Sequence, residues 1–139
     1  MKKGVLLNAP VSNIISQMGH GDGLCVGDAG LPISDNVERI DLAITRGLPG
    51  MLETAAAISE EMQIERIAVA EELIEQQPAF HLRLLSFISE VSKNQGKSVE
   101  TTIVSHEEFK RLTGKCRAVV RTGECTPYAN VIFYSGVTF

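Results

Sequence analysis

The sequence contains no tryptophan, and only 5% of its 139 residues are aromatic. It therefore lacks the stacked aromatic platforms on which single-stranded nucleic acids are held. The three cysteines, Cys25, Cys116 and Cys125, are an odd number without a Cys-x-x-Cys pair. That speaks against a disulfide framework or zinc knuckle and fits reduced thiols, the small buried apolar side chain being the commoner fate of an unpaired cysteine. No run of Lys or Arg concentrates the 13 basic residues, and 17 acidic ones leave a net charge of −4, so no nucleic-acid partner is expected. Long apolar runs are missing too: nothing approaches ~18 consecutive apolar residues. After Met1-Lys2-Lys3, the residues Asn8, Pro10 and Ser12 interrupt the apolar stretch before a signal sequence could form. These absences predict a cytoplasmic protein that binds neither nucleic acid nor membrane.

What remains is ordinary globular composition, 44% hydrophobic and 22% charged. No repeat, low-complexity tract or linker divides the chain, so residues 1–139 are expected to form one domain. Short apolar runs predict strands at Gly4–Leu7, Leu24–Gly27, Val99–Val104, Ala118–Arg121 and Asn130–Tyr134. Alternation in Arg39–Ile44 predicts a half-buried strand with Ile40, Leu42 and Ile44 on one face. Gln63–Glu72 fits either helix or strand, and Ile67-Ala68-Val69-Ala70 favours strand. Helical spacing predicts helices from a Ser12 cap to Met18, closed by a left-handed Gly19, and from Pro49 at the first helical position to Ser59. A longer one follows at Pro78–Lys93, and a short one begins at Ser105, three residues before Glu108 in capping-box spacing. Strands alternating with helices imply a layered α/β/α sandwich with a mixed sheet.

Several chemical motifs can be tested and dismissed. Gly96-Lys97-Ser98 resembles the tail of a phosphate-binding loop, but Val91 stands where that loop needs its first glycine. There is no correctly spaced G-x-G-x-x-G, no G-x-S-x-G elbow and no H-E-x-x-H helix. The informative segment is Gly19-His20-Gly21-Asp22-Gly23-Leu24-Cys25-Val26-Gly27-Asp28-Ala29-Gly30, with five glycines in twelve residues. His20, Asp22 and Asp28 could in principle hold a divalent metal, but metal ligands usually sit in tighter register, and no metal is expected. Asp22 reads as a turn residue. His20, free of bulky neighbours, suits proton transfer, since histidine ordinarily titrates near pH ~6.5. His106 falls in the first turn of a helix, where an imidazole can donate and accept or serve as a mere surface cap. His81, on the long helix, is read as solvent-facing and without a role.

Several separated stretches carry a resemblance. Gly19-His20-x-Asp22, Asp28-Ala29-Gly30-Leu31-Pro32-Ile33, Arg39-Ile40-Asp41, Glu61-Met62-Gln63, Ala70-Glu71-Glu72, Arg121-x-Gly123-Glu124 and Pro127-Tyr128-Ala129-Asn130 through Gly136-Val137-Thr138-Phe139 resemble, in order and over the whole chain, the ribose/fucose mutarotase family. The resemblance implies an isomerase that interconverts the pyranose and furanose forms of D-ribose without cofactor, metal or nucleotide. It implies His20 as proton donor, and Asp28, His106, Tyr128, Ala129 and Asn130 as sugar contacts. It also implies rings of five subunits stacked into decamers, with the sugar near subunit contacts. The fucose branch carries R-x-D-G where this chain has Arg39-Ile40-Asp41-Leu42, which favours ribose. The alternatives are a fucose mutarotase and a non-catalytic sugar-binding accessory of ribose transport.

Overall fold

The computed structural model describes residues 1–139. In chain order it forms α1 (Ala9–Gln17), β1 (Gly23–Gly27), β2 (Glu38–Asp41), α2 (Met51–Ser59), β3 (Ile64–Ala70), α3 (Glu71–Gln76), α4 (Pro78–Gln95), β4 (Glu100–Val104), α5 (His106–Thr113), β5 (Ala118–Arg121) and β6 (Val131–Ser135). The six strands make one mixed sheet in the order β2-β5-β1-β6-β3-β4. Only β6 is antiparallel to its neighbours, β1 and β3, so the carboxyl ends of the other five strands share one edge.

Alternation along the strands divides the apolar residues between two cores. Leu24, Val26, Ala118, Val120, Val131 and Phe133 face α1, α2, α3 and α4, which contribute Val11, Ile14, Met51, Ile58, Leu73, Leu84 and Ile88. The intervening residues Cys25, Val119 and Ile132 face Phe109 of α5 together with Leu31 and Val37. This is the expected α/β/α sandwich, with a thicker helical layer on one side. Within the buried set both Cys25 and Cys116 are free thiols, whereas Cys125 is exposed. Burial pushes the Cys116 thiol up to about 12, which leaves it a packing residue rather than a nucleophile.

Four local expectations are corrected. Gly4–Leu7 is not a strand: Leu6 is buried beside α1 and α2 while Val5 and Leu7 face outwards, so the segment docks on helices instead of the sheet. Helix α1 begins before Ser12, because the Asn8 side chain accepts the Val11 N–H at 3.0 Å and caps it; Gly19 is not left-handed, and Gly21 is. Strand β2 stops at Asp41, whose carboxylate accepts the Ala43 N–H at 3.0 Å and turns the chain, leaving Ile44 79% exposed. Pro49 precedes α2 instead of opening it; Gly50 is the cap, its N–H bonded to Glu53 at 3.1 Å. By contrast β3 resolves the ambiguous Gln63–Glu72 in favour of strand, Gly96 ends α4 in the left-handed conformation, and the Ser105 hydroxyl accepts the Glu108 N–H at 3.2 Å.

Candidate active site

The carboxyl edge of the sheet carries a cleft of about 500 Å³ whose lining includes Asp28, Arg46, His106, Glu124, Cys125 and Tyr128. Asp28 follows β1 directly. Its carboxylate accepts the Gly30 N–H at 2.8 Å and the Asn130 side-chain amide at 2.9 Å, while its own N–H donates to the Asn130 Oδ1 at 2.7 Å. Asn130, fully buried just before β6, thus spends its carbonyl and one amide hydrogen on Asp28 and retains one hydrogen to donate. Gly27 packs closely here: a Cβ would lie 3.2 Å from the Asn130 Oδ1 and closer still to the Leu31 side chain.

His106 opens α5, its N–H bonded to the Glu72 carboxylate at 2.8 Å. Its ring meets the Tyr128 ring edge-on, centroids 5.0 Å apart and planes at 85°, and its Nδ1 is buried without a partner. Tyr128 itself has a φ of 63°, the one non-glycine residue of the chain in the left-handed region. Such conformations cost on the order of 1–3 kcal/mol and persist where surrounding structure holds them, often at ligand sites. Ala129 differs from the other candidates. Its methyl group is buried in the core, its N–H donates to the Thr126 carbonyl, and, like Asn130, it lies behind the cleft and not in its lining.

The opposite wall depends on backbone packing. The 45–48 loop folds over Gly123, where a Cβ would lie 2.6 Å from the Leu48 nitrogen, and this brings Arg46 to the rim. Arg121 pairs with Asp41 at 3.1 Å and donates to the Ala29 carbonyl at 3.0 Å, tying the β1–β2 connection to the sheet. Glu124 accepts the N–H groups of Cys125 and Thr126 at 3.0 and 2.9 Å. Partial burial raises its carboxyl, but the N–H groups of Thr126, Met51 and Cys125 together hold it below its ordinary range. Sequence reasoning singled out neither Arg46, Glu72 nor Glu124 as site residues, because each acts through a tertiary neighbour.

His20 is elsewhere. It lies before β1, at the amino edge of the sheet, whereas Asp28 lies after it; five strand residues at ~3.3 Å each put roughly 16 Å or more between them. The turn that presents it is held by Asp22, whose carboxylate accepts the Gly19 N–H at 2.9 Å, so Asp22 is the turn residue expected. Ser135, at the end of β6, closes the turn: its hydroxyl donates to the Gly19 carbonyl, its N–H donates to the Asp22 carbonyl at 3.0 Å, and its carbonyl accepts the Gly21 N–H at 2.8 Å. The His20 side chain is 61% exposed, and its Nε2 lies 2.7 Å from a Glu65 carboxylate oxygen. Within one chain the carboxylate on the His20 ring is therefore that of Glu65, not Asp28. His81 is half-buried on α4, outside the cleft.

Nowhere do three His, Cys, Asp or Glu side chains converge as a metal ion requires, and no helix is long and apolar enough to cross a membrane. An open α/β sheet with a polar, hydrogen-bonding cleft at its carboxyl edge defines a protein that binds a small polar molecule. The chain belongs to the RbsD / FucU transport protein family, which matches residues 1–138. It is 52% identical to the D-ribose pyranase of Vibrio parahaemolyticus over 139 residues, with both chains fully covered. The structure of Bacillus subtilis RbsD complexed with D-ribose superposes over the whole of both chains, with a TM-score of 0.89 and 42% identity. The fucose mutarotase of Streptococcus pneumoniae, solved with L-fucose, shares the fold, with a TM-score of 0.73 and 19% identity over 99% of each chain.

Proposed function

We propose that this chain is an isomerase that interconverts the pyranose and furanose forms of D-ribose by acid–base ring opening and reclosure. The observation that carries this reading is that His106, whose Nδ1 is orphaned, and the clamped Asp28 carboxylate line one cleft of small-molecule size. Buried polar atoms without partners are uncommon, and a polyol supplies the missing partners. Full-length relatives named D-ribose pyranase and the ribose complex of a 42% identical protein support the choice of sugar.

Asp28, His106 and Tyr128 hold the hydroxyls, and the adjoining Ala129 and Asn130 are the further sugar contacts that the family resemblance implies. His20 protonates the ring oxygen as the bond from that oxygen to the anomeric carbon breaks, the electron pair staying on oxygen. Asp28 takes the proton of the anomeric hydroxyl, which becomes the carbonyl of the open chain. Reclosure through a different hydroxyl runs the same transfers backwards, and acid–base assistance of this kind is worth ~10²–10⁴-fold. No cofactor or metal enters these steps.

Because one chain keeps His20 and the cleft at opposite edges of its sheet, His20 of a second copy serves the cleft. The working unit is then a homo-oligomer, and the family resemblance implies a pentamer ring or a decamer of two. Three free thiols, two of them buried, suit a reducing compartment, the cytoplasm.

Saturation-transfer NMR of D-ribose, with protein at a small fraction of the sugar concentration, tests the reading. An isomerase accelerates exchange between pyranose and furanose signals without moving their ratio. A sugar-binding accessory leaves the exchange rate unchanged, and faster exchange of L-fucose than of D-ribose would reassign the substrate.

A further inference from the structure

The carboxylate at His20 is delivered by a specific irregularity in the sheet. Along the antiparallel pair of β3 and β6, Ile64 lies opposite Ser135 and Arg66 opposite Tyr134, so Glu65 is an extra residue with no counterpart. Such a bulge re-aims a side chain and is over-represented next to active sites. Its effect on burial is visible: Ile64 and Ile67, three apart and on opposite faces of a regular strand, both enter the same core, while Glu65 and Arg66 both stay outside it. Arg66 then lies 3.7 Å over the Tyr134 ring, and Glu65 reaches His20. The residue opposite Ile64 is Ser135, the same residue that closes the His20 turn. Imidazole and carboxylate are thus mounted on one short stretch of the β3–β6 pair.

We infer that Glu65 is a positioning residue for His20, accepting the Nε2–H so that Nδ1 is the nitrogen that exchanges protons with the sugar. The inference rests on His20 being the acid of the proposed reaction. A carboxylate on one ring nitrogen fixes the tautomer and the orientation of the ring and stabilises the imidazolium that forms when the other takes a proton. With Nε2 engaged, the proton passed to the ring oxygen leaves Nδ1 and returns to it on reclosure; Glu65 keeps its charge throughout and touches no substrate atom.

The test uses the assembled full-length protein and its Glu65→Gln and Glu65→Ala variants, with D-ribose exchange followed at several sugar concentrations. Glutamine retains an oxygen that accepts the Nε2–H but loses the charge, so kcat is expected to fall in the order parent, Gln, Ala, by roughly 10–100-fold for Ala, as for other outer-shell partners. KM stays unchanged, since the sugar's contacts are intact. Two-bond proton–nitrogen correlation spectra of ¹⁵N-histidine protein provide the independent readout: Nε2 of His20 carries the proton in the parent, and both tautomers appear in Glu65→Ala. Unchanged kcat in Glu65→Ala overturns the inference, as does a parallel change in kcat and KM with the parent's spectrum retained. Failure of the functional reading looks different, because then His20→Ala itself exchanges ribose at the parent rate.

Discussion

Asp28 and Asn130, 102 positions apart in sequence, grip each other through two hydrogen bonds running in opposite senses, amide to carboxylate at 2.9 Å and backbone N–H to side-chain carbonyl at 2.7 Å. The pair joins the end of β1 to the start of β6 and fixes the carboxylate in the cleft. Truncating Asn130 to Ala leaves the Asp28 N–H and one carboxylate oxygen without these partners. Unfolding by urea should show a loss of about 1–3 kcal/mol, the usual cost of orphaning such groups. Ribose exchange should fall as well, because Asp28 is no longer held.

The proposed sharing of the site between copies has a sharp consequence for mixtures. His20→Ala and Asp28→Asn should each be nearly inactive alone. After dissociation and joint reassembly at equal amounts, about one junction in four should unite an intact His20 with an intact Asp28, restoring roughly a quarter of parental exchange. Exchange that stays at the level of the separate variants would mean that each chain builds its own site.

At Gly123 the restriction is steric. A methyl group there meets the Leu48 backbone at 2.6 Å, and the 45–48 loop must move. Gly123→Ala should therefore lower stability by about 1–3 kcal/mol, the range for overpacking. With Arg46 carried away from the rim, KM for ribose should rise in the same variant, as saturation curves would reveal.

Acid should remove the contribution of Asp41 to the edge strand β2. The Ala43 N–H, and after it Arg121, hold the Asp41 carboxyl below its usual range. A depressed folded value means that Asp41 adds stability above its unfolded pKa of ~3.9 and loses that contribution as pH falls through the folded one. Asp41→Asn should melt below the parent at neutral pH, with the gap closing as pH drops beneath ~4. The gap is small, because Asp41 is 45% exposed and its ion pair is screened by solvent.

The layered fold was legible because its signals are local: alternation in Arg39–Ile44, of which the part to Asp41 is strand, a continuous apolar run in β1, helical spacing in Pro78–Lys93 and serine-to-glutamate spacing at Ser105. Misreadings fell where a side chain ends or caps an element through a contact that spacing does not encode, as with Asn8 for α1 and Asp41 for β2. The histidines could be singled out from their neighbours, but not their surroundings. Glu65 gave no sign of itself, since the bulge that aims it exists only once β3 has paired with β6. The separation of His20 from Asp28, by contrast, was already implied by the strand predicted at Leu24–Gly27, which the two residues flank.

Strand β6, the lone strand running against its neighbours, starts directly after Asn130 at one rim of the sheet and ends with Ser135 at the other. One residue gained or lost within it would disturb the clasp on Asp28 and the latch on the His20 turn in a single event. Among sequences descended from a common ancestor with this one, the interval from Asn130 to Ser135 should keep its length unaltered, while insertions accumulate in outlying segments such as the 96–99 connection.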